Sequence, residues 1–260
     1  CDQWGTVSIS QKEEILEFSE YKDILKDFSR PFACNNGIFK ENKVIELKQL
    51  IKNVLKENNI EINENDIDIF NEAYKNKCKG KIQKKFFNDI DNKKILFSFI
   101  GRITDNKGVK IILENAEELI QKYNAQILIC GKSNQEEKYS INCVTLIENL
   151  KQKYPKNIYA SPKEIFPDPI LVTYGSDFGI IPSIIDPIGL DAHEYFISST
   201  PVVAHKTGGL RDCLIDFNQN KKNGNSFLYD LNENSHFINA ISKAIKIFNN
   251  KPEYKKLISN

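Results

Sequence analysis

The sequence predicts an α/β fold, a Rossmann-like parallel sheet with helices on both faces, preceded by a mixed N-terminal region. Three observations predict it. Short apolar runs such as Ile95-Leu-Phe-Ser-Phe-Ile100 and Gln126-Ile-Leu-Ile-Cys130 have the length and continuity of strands buried on both faces. Segments with helical spacing of apolar residues separate these runs. The connections are short, which is how parallel strands joined by right-handed helical crossovers read in sequence.

Taken in order, residues 1 to about 87 are mixed in texture and rich in Lys, Glu and Asn. An extended stretch, Trp4-Gly-Thr-Val-Ser, leads into a helix with Ser10 as its predicted N-cap. Asn35-Asn36-Gly37 is a turn signal. Residues 42–58 carry Val44, Ile45, Leu47, Leu50, Ile51 and Leu55 at helical spacing. The basic run over 75–85 reads as a solvated helix face. From Lys93 onward strands alternate with helices. Strands are expected at 95–100, 126–130, 157–160, 178–182, 201–204 and 225–229, and helices over 107–123, about 136–153, from about Leu190, and over 235–248. The division therefore falls between residues 1–85 and 86–260.

Composition bounds the function. Hydrophobic residues at 40% and charged residues at 27% belong to a globular chain. Thirty-six basic against 35 acidic residues leave a net charge of +1, which gives no electrostatic argument for nucleic acid or a membrane surface as the main partner. No apolar run approaches the ~20 residues that span a bilayer. The six cysteines (Cys1, Cys34, Cys78, Cys130, Cys143, Cys213) include no C-x-x-C pair, and with three histidines no zinc spacing emerges. They read as reduced, mostly buried thiols of a reducing compartment, cytoplasmic or plastid-like.

Ligands of such sheets sit beyond the carboxyl ends of the strands, so the chemistry is expected in three loops. In the first, Gly101 and Arg102 follow a strand and Lys107-Gly108 opens a helix. A diphosphate there would meet backbone N–H groups, a planar guanidinium and an ammonium. In the second, Asp186-Pro-Ile-Gly189-Leu190 is followed by Glu194, and both carboxylates can face one cleft. The third is Thr207-Gly208-Gly209, where backbone could approach a ligand closely. Each alone is also an ordinary surface loop or turn.

Together, Phe99-Ile-Gly-Arg102…Lys107-Gly108, Phe178-Gly-Ile-Ile-Pro-Ser183…Asp186-Pro-Ile-Gly-Leu190 and Pro201-Val-Val-Ala-His-Lys-Thr-Gly-Gly-Leu210 resemble the C-terminal domain of starch and glycogen synthases, retaining glycosyltransferases of GT-B architecture. Upstream, Thr6-Val-Ser8 leading to Glu14-Ile-Leu16 resembles the end of the family's N-terminal domain, and Asn36-Gly37-Ile38 resembles its turn before the interdomain linker. The resemblance runs over nearly the whole chain.

It implies a donor-binding half that acts with an N-terminal domain carrying most acceptor contacts. The intact protein would move glucose from ADP- or UDP-glucose to an α-glucan, with retention, no metal and no cofactor. Arg102 and Lys107 would grip the donor diphosphate, Asp186 would stand near the transferring glucose, Gly189 and Leu190 would offer amides to phosphate, and Glu194 would meet the ribose. Two departures stand out. Asp186 is one methylene shorter than the family's Glu, whose reach an Asp186→Glu change is expected to restore, and Ile184 stands where Arg is common. The base-stacking aromatic expected shortly before Glu164 is missing; Pro162 takes its place, with Tyr159 nearby. These departures leave open a rival reading, a degenerate non-catalytic module associated with glucan or with an assembly.

Overall fold

A computed structural model describes residues 4–20, 22–26, 32–34, 39–163, 168–230 and 233–260. At the N-terminus β1 (Gly5–Thr6) precedes α1 (Ile9–Phe18) and α2 (Lys22–Lys26), and pairs in parallel with β2 (Phe32–Ala33). The cap of α1 is Ser8, not Ser10 as the sequence suggested. Ser8 has the extended backbone a cap needs, and its hydroxyl accepts from the Gln11 amide at 3.1 Å. Ser10 is buried and hydrogen-bonds Asp212 through both its amide and its hydroxyl. The expected turn at 35–37 lies outside the described residues.

Next come α3 (Lys40–Glu57) and α4 (Glu72–Ile82), the latter running on through a π-turn over Gln83–Phe87. The alternating region follows as β3 (Leu96–Ile100), α5 (Lys110–Tyr123), β4 (Gln126–Cys130), α6 (Lys138–Lys153), β5 (Ile158–Ala160), α7 (Pro169–Gly175), β6 (Phe178–Ile181), α8 (Leu190–Ile197), β7 (Val202–His205), α9 (Leu210–Cys213), β8 (Ser226–Tyr229), α10 (Asn234–Asn249) and α11 (Lys251–Ser259). The six strands β3 to β8 form one parallel sheet in the order β5-β4-β3-β6-β7-β8. Short α7 and α9, and α11, have too few periodic residues to announce themselves in sequence.

Alternation along the strands divides the core. Phe97, Phe99, Ile127 and Ile129 pack against α5, α6 and α10. Leu96, Leu128 and Cys130 pack on the opposite face against α3, α4 and α7, while Ile181, Val202 and Ala204 meet α8 and α9. Helices that precede the 85/86 division thus cover one face of the sheet. Of the described cysteines, Cys78, Cys130 and Cys143 are buried, Cys213 is half-buried and Cys34 is exposed, all as free thiols.

The basic run over 75–85 is not a solvated face. Lys79 is 1% exposed, and its ammonium binds Asp177 at 2.5 Å and the Asn92 carbonyl at 3.1 Å. Lys75 is also buried and donates to Tyr174 O at 2.7 Å, Ser198 O at 3.1 Å and Thr200 Oγ1 at 2.7 Å. These two lysines, one turn apart, gather the ends of α7 and α8 beneath α4. Burial lowers the Lys75 pKa from 10.5 to about 7, with the Asp177 charge opposing.

Candidate active site

The sheet's connectivity reverses between β3 and β6, since β4 and β5 extend one way and β7 and β8 the other. In open parallel sheets this switch point opens a crevice beyond the strand ends. The loops after β3 and β6 border it and are stitched together. Ile184 N donates to Asn106 O at 2.8 Å, and a Cβ on Gly108 would collide with the Pro182 carbonyl oxygen. Gly108 also has φ 64°, so only glycine fits comfortably. The helix expected from residue 107 begins later: residues Asp105–Lys107 form a 3-10 turn, Gly108 breaks it, and α5 starts at Lys110.

Lys107 reaches across to the β6 loop. Its ammonium donates to Asp191 Oδ2 at 2.6 Å and to Asp186 Oδ2 at 3.1 Å. Burial lowers its pKa, but the Asp191 charge and hydrogen bond, followed by those of Asp186, outweigh burial and raise it. Asp186 is 4% exposed. Its Oδ1 accepts from Gly189 N at 2.7 Å, and its Oδ2 accepts from Ser183 Oγ at 3.1 Å as well as from Lys107. The carboxylate thus shapes the loop that launches α8, with Gly189 in the left-handed region at φ 77°.

The first-turn amides of Leu190 and Asp191 have no acceptor among the described residues. Arg102 is exposed, and its guanidinium has no partner among them either. Gly101 closes the end of β3, donating to Cys130 O at 3.0 Å. An exposed guanidinium, a half-buried ammonium and, at a helix start, two amides with no acceptor among the described residues therefore lie on the loops at this switch point, an arrangement suited to phosphate oxygens. Helix α8 is set by Tyr195, whose ring lies over Gly179 where a Cβ would strike it. Its hydroxyl pairs with Ser98 Oγ at 2.9 Å.

The third loop behaves differently from expectation. Gly208 N donates to Glu14 Oε1 at 2.9 Å and Gly209 N to Asp186 O at 2.9 Å, so both amides are already engaged. Side chains at these glycines would collide with the Asp186–Gly189 loop. The close approach that the glycines permit is loop against loop. Thr207 reinforces it through Oγ1 to Ile184 O at 2.9 Å.

Glu194 does not touch Lys107 or Asp186. It faces Lys43 of α3 at 3.8 Å, beside a small cavity with Pro169, Ile170 and Thr173. Burial raises its pKa, Lys43 pulls it down, and Asp191 pushes it up again. Tyr159 packs against Phe86 with the rings tilted at 45° and their centroids 4.9 Å apart. Glu164 lies outside the described residues. Sequence reasoning missed Asp191, Ser183 and Glu14. For Asp191 a signal existed, an acid in the first turn of a helix next to an expected cation; for Glu14 none existed, because its partner is 194 residues away.

Comparison with known proteins agrees with this fold. The family described as "Glycosyl transferases group 1" matches residues 80–260. The chain belongs to this family of glycosyltransferases. Among curated relatives it is similar to a glycogen synthase of Thermosipho melanesiensis, 28% identical over 75% of this chain and 39% of the relative. A glycogen synthase of Fervidobacterium nodosum is 27% identical over 98% of this chain and 50% of its own length. Among solved structures, the catalytic domain of starch synthase IV from Arabidopsis thaliana, bound to ADP and acarbose, superposes with a TM-score of 0.81 at 20% identity, covering 100% of this chain and 52% of that one. The chain thus spans 39% to 52% of the length of these relatives. Among the described residues, no helix is long and apolar enough to cross a membrane.

Proposed function

We propose that this chain is the donor-binding half of a glucosyltransferase that moves glucose from ADP-glucose or UDP-glucose to the non-reducing end of an α-glucan, with retention of configuration. The observation that carries the reading is an exposed Arg102 in the same loop as Lys107, together with the amides of Leu190 and Asp191 at the switch point, with the guanidinium and both amides unpartnered among the described residues. Preorganised cations of this kind act where charge develops on a departing diphosphate.

In this reading the bond from the sugar's anomeric carbon to the diphosphate oxygen breaks, and its electron pair goes to that oxygen. Arg102 and Lys107 stabilise the charge. The acceptor hydroxyl oxygen forms the new bond on the same face and passes its proton to the departing diphosphate oxygen. Asp186 acts by holding Lys107 and the Gly189 amide in place. The two cations do the work a metal would otherwise do, and no cofactor is needed. Glu194 is available to a ribose hydroxyl. A partner N-terminal domain of the same protein would supply the glucan contacts.

The test is isothermal titration of the intact protein with ADP and UDP, followed by transfer of labelled glucose from each nucleotide sugar to glycogen. Binding of one nucleotide together with transfer supports the reading. Nucleotide binding without transfer would instead support a degenerate module, and no binding of either nucleotide would remove the donor-site reading altogether.

A further inference from the structure

Asp191 is unusual company for a phosphate-binding cation. It is the second residue of α8, and its carboxylate holds Lys107 at 2.6 Å, closer than Asp186 at 3.1 Å. The two acids are not equivalent. Asp186 is buried and bound by Gly189 N and Ser183 Oγ, so it is fixed in its loop. The Asp191 side chain is 28% exposed, and Lys107 is its one hydrogen-bond partner among the described residues. Asp191 is therefore free to rotate away; Asp186 is not.

The charges make this consequential. Arg102 and Lys107 carry two positive charges, and Asp186 and Asp191 cancel both. A nucleoside diphosphate, itself multiply negative, would enter a neutral site and compete with a carboxylate for the Lys107 donors. Carboxylate and phosphate oxygens make the same kind of charge-assisted bond to an ammonium.

Resting on the nucleotide-sugar reading above, we infer that Asp191 is an internal competitor for the donor diphosphate: it occupies Lys107 in the unliganded protein, must release it when donor binds, and so sets the nucleotide affinity. An acid at this position also favours the helix start through the dipole. That role predicts lower stability on removal, but no tighter nucleotide binding.

The experiment is calorimetric titration of the intact protein and its Asp191→Asn and Asp191→Ala variants with ADP, UDP and inorganic pyrophosphate, with melting temperatures as a check on folding. Both variants should bind the preferred nucleotide and pyrophosphate at least tenfold more tightly than the wild type. In a Lys107→Ala background the gain from Asp191→Asn should disappear. A wild type that binds nucleotide while Asp191→Asn binds it equally or more weakly overturns the inference and leaves the donor-site reading standing. So does a gain that survives in the Lys107→Ala background, or one confined to nucleotides and absent for pyrophosphate. If neither the wild type nor any variant binds nucleotide or pyrophosphate, the donor-site reading falls and this inference falls with it.

Discussion

At the scale of single residues, the two cations of the crevice are in different states. Arg102 is exposed and unpaired among the described residues, so its bonds to a diphosphate cost no internal partner. Lys107 is held by two carboxylates and, in the proposed reading, trades one of them for phosphate. Arg102→Ala is therefore expected to weaken ADP or UDP binding by about 1–3 kcal/mol, the range for charge-assisted hydrogen bonds. Titration of the intact protein reads this directly, and an unchanged affinity removes Arg102 from the site. Asp186 calls for a revised expectation. From sequence, a glutamate there should restore reach. In the folded chain the carboxylate is enclosed by Gly189, Ser183 and Lys107, with Gly208 packed against its backbone. An added methylene has nowhere to go. Asp186→Glu should cost about 1–3 kcal/mol of stability, as overpacking does. Asp186→Asn retains an acceptor for Gly189 N, so it should fold and lower kcat more than it changes nucleotide affinity. Urea unfolding and steady-state transfer separate the two effects. An Asp186→Glu protein as stable as wild type, with a higher kcat, would return this residue to its sequence-based role.

At the scale of elements, strands and long helices were legible because burial on both faces and helical spacing write themselves into short windows of sequence. Phe97 and Phe99 against Leu96 show the alternation plainly. Helix α4 was not legible. Its lysines recur one turn apart, which in a window looks like a solvated stripe, yet apart from the Asn92 carbonyl the groups that satisfy Lys75 and Lys79 lie about a hundred residues later at Tyr174, Asp177, Ser198 and Thr200. No local pattern reports such partners. The Lys75 ammonium makes a pH prediction. Burial lowers its pKa to about 7, whereas the unfolded chain holds the proton up to 10.5. Between these values the unfolded state binds more protons, so this group's contribution to stability grows as pH rises from 7 and is lost as pH falls through 7. By pH 8.5 the contribution relative to pH 6 amounts to about 2 kcal/mol at 1.36 kcal/mol per unit. Urea midpoints of wild type and Lys75→Met, compared at pH 6 and pH 8.5, should differ by that slope. Parallel pH profiles for the two proteins would show that Lys75 does not titrate in this window.

At the scale of the whole molecule, the N-terminal and C-terminal stretches meet behind the candidate site, through contacts that close loops of about two hundred residues. Ser10 of α1 gives both its amide and its hydroxyl to Asp212 of α9. Glu14 takes Gly208 N at 2.9 Å and Arg211 Nη2 at 2.9 Å. Gly208 in turn lies against Asp186, so α1 bears on the loop that positions Lys107 through a single layer of packing. The Glu14–Arg211 pair is partly exposed, and such pairs add at most about 1 kcal/mol. In the Ser10–Asp212 pair the serine is buried although Asp212 is exposed, and Asp212 answers two donors from one residue. Losing the Asp212 carboxylate leaves the buried Ser10 hydroxyl without its partner, whereas losing both side chains leaves no such group. The effects should therefore be non-additive. Ser10→Ala, Asp212→Ala and the double variant are expected to show a coupling of about 1 kcal/mol in urea unfolding, within the range for residues in direct contact. The same cycle read by nucleotide titration should show Asp212→Ala weakening affinity through the Thr207–Gly209 turn without any loss of a ligand contact. Additivity within about 0.3 kcal/mol in both measurements would mean that α1 rests on α9 without supporting the crevice. The Asp186–Lys107 geometry would then have to be maintained by the β3 and β6 loops alone.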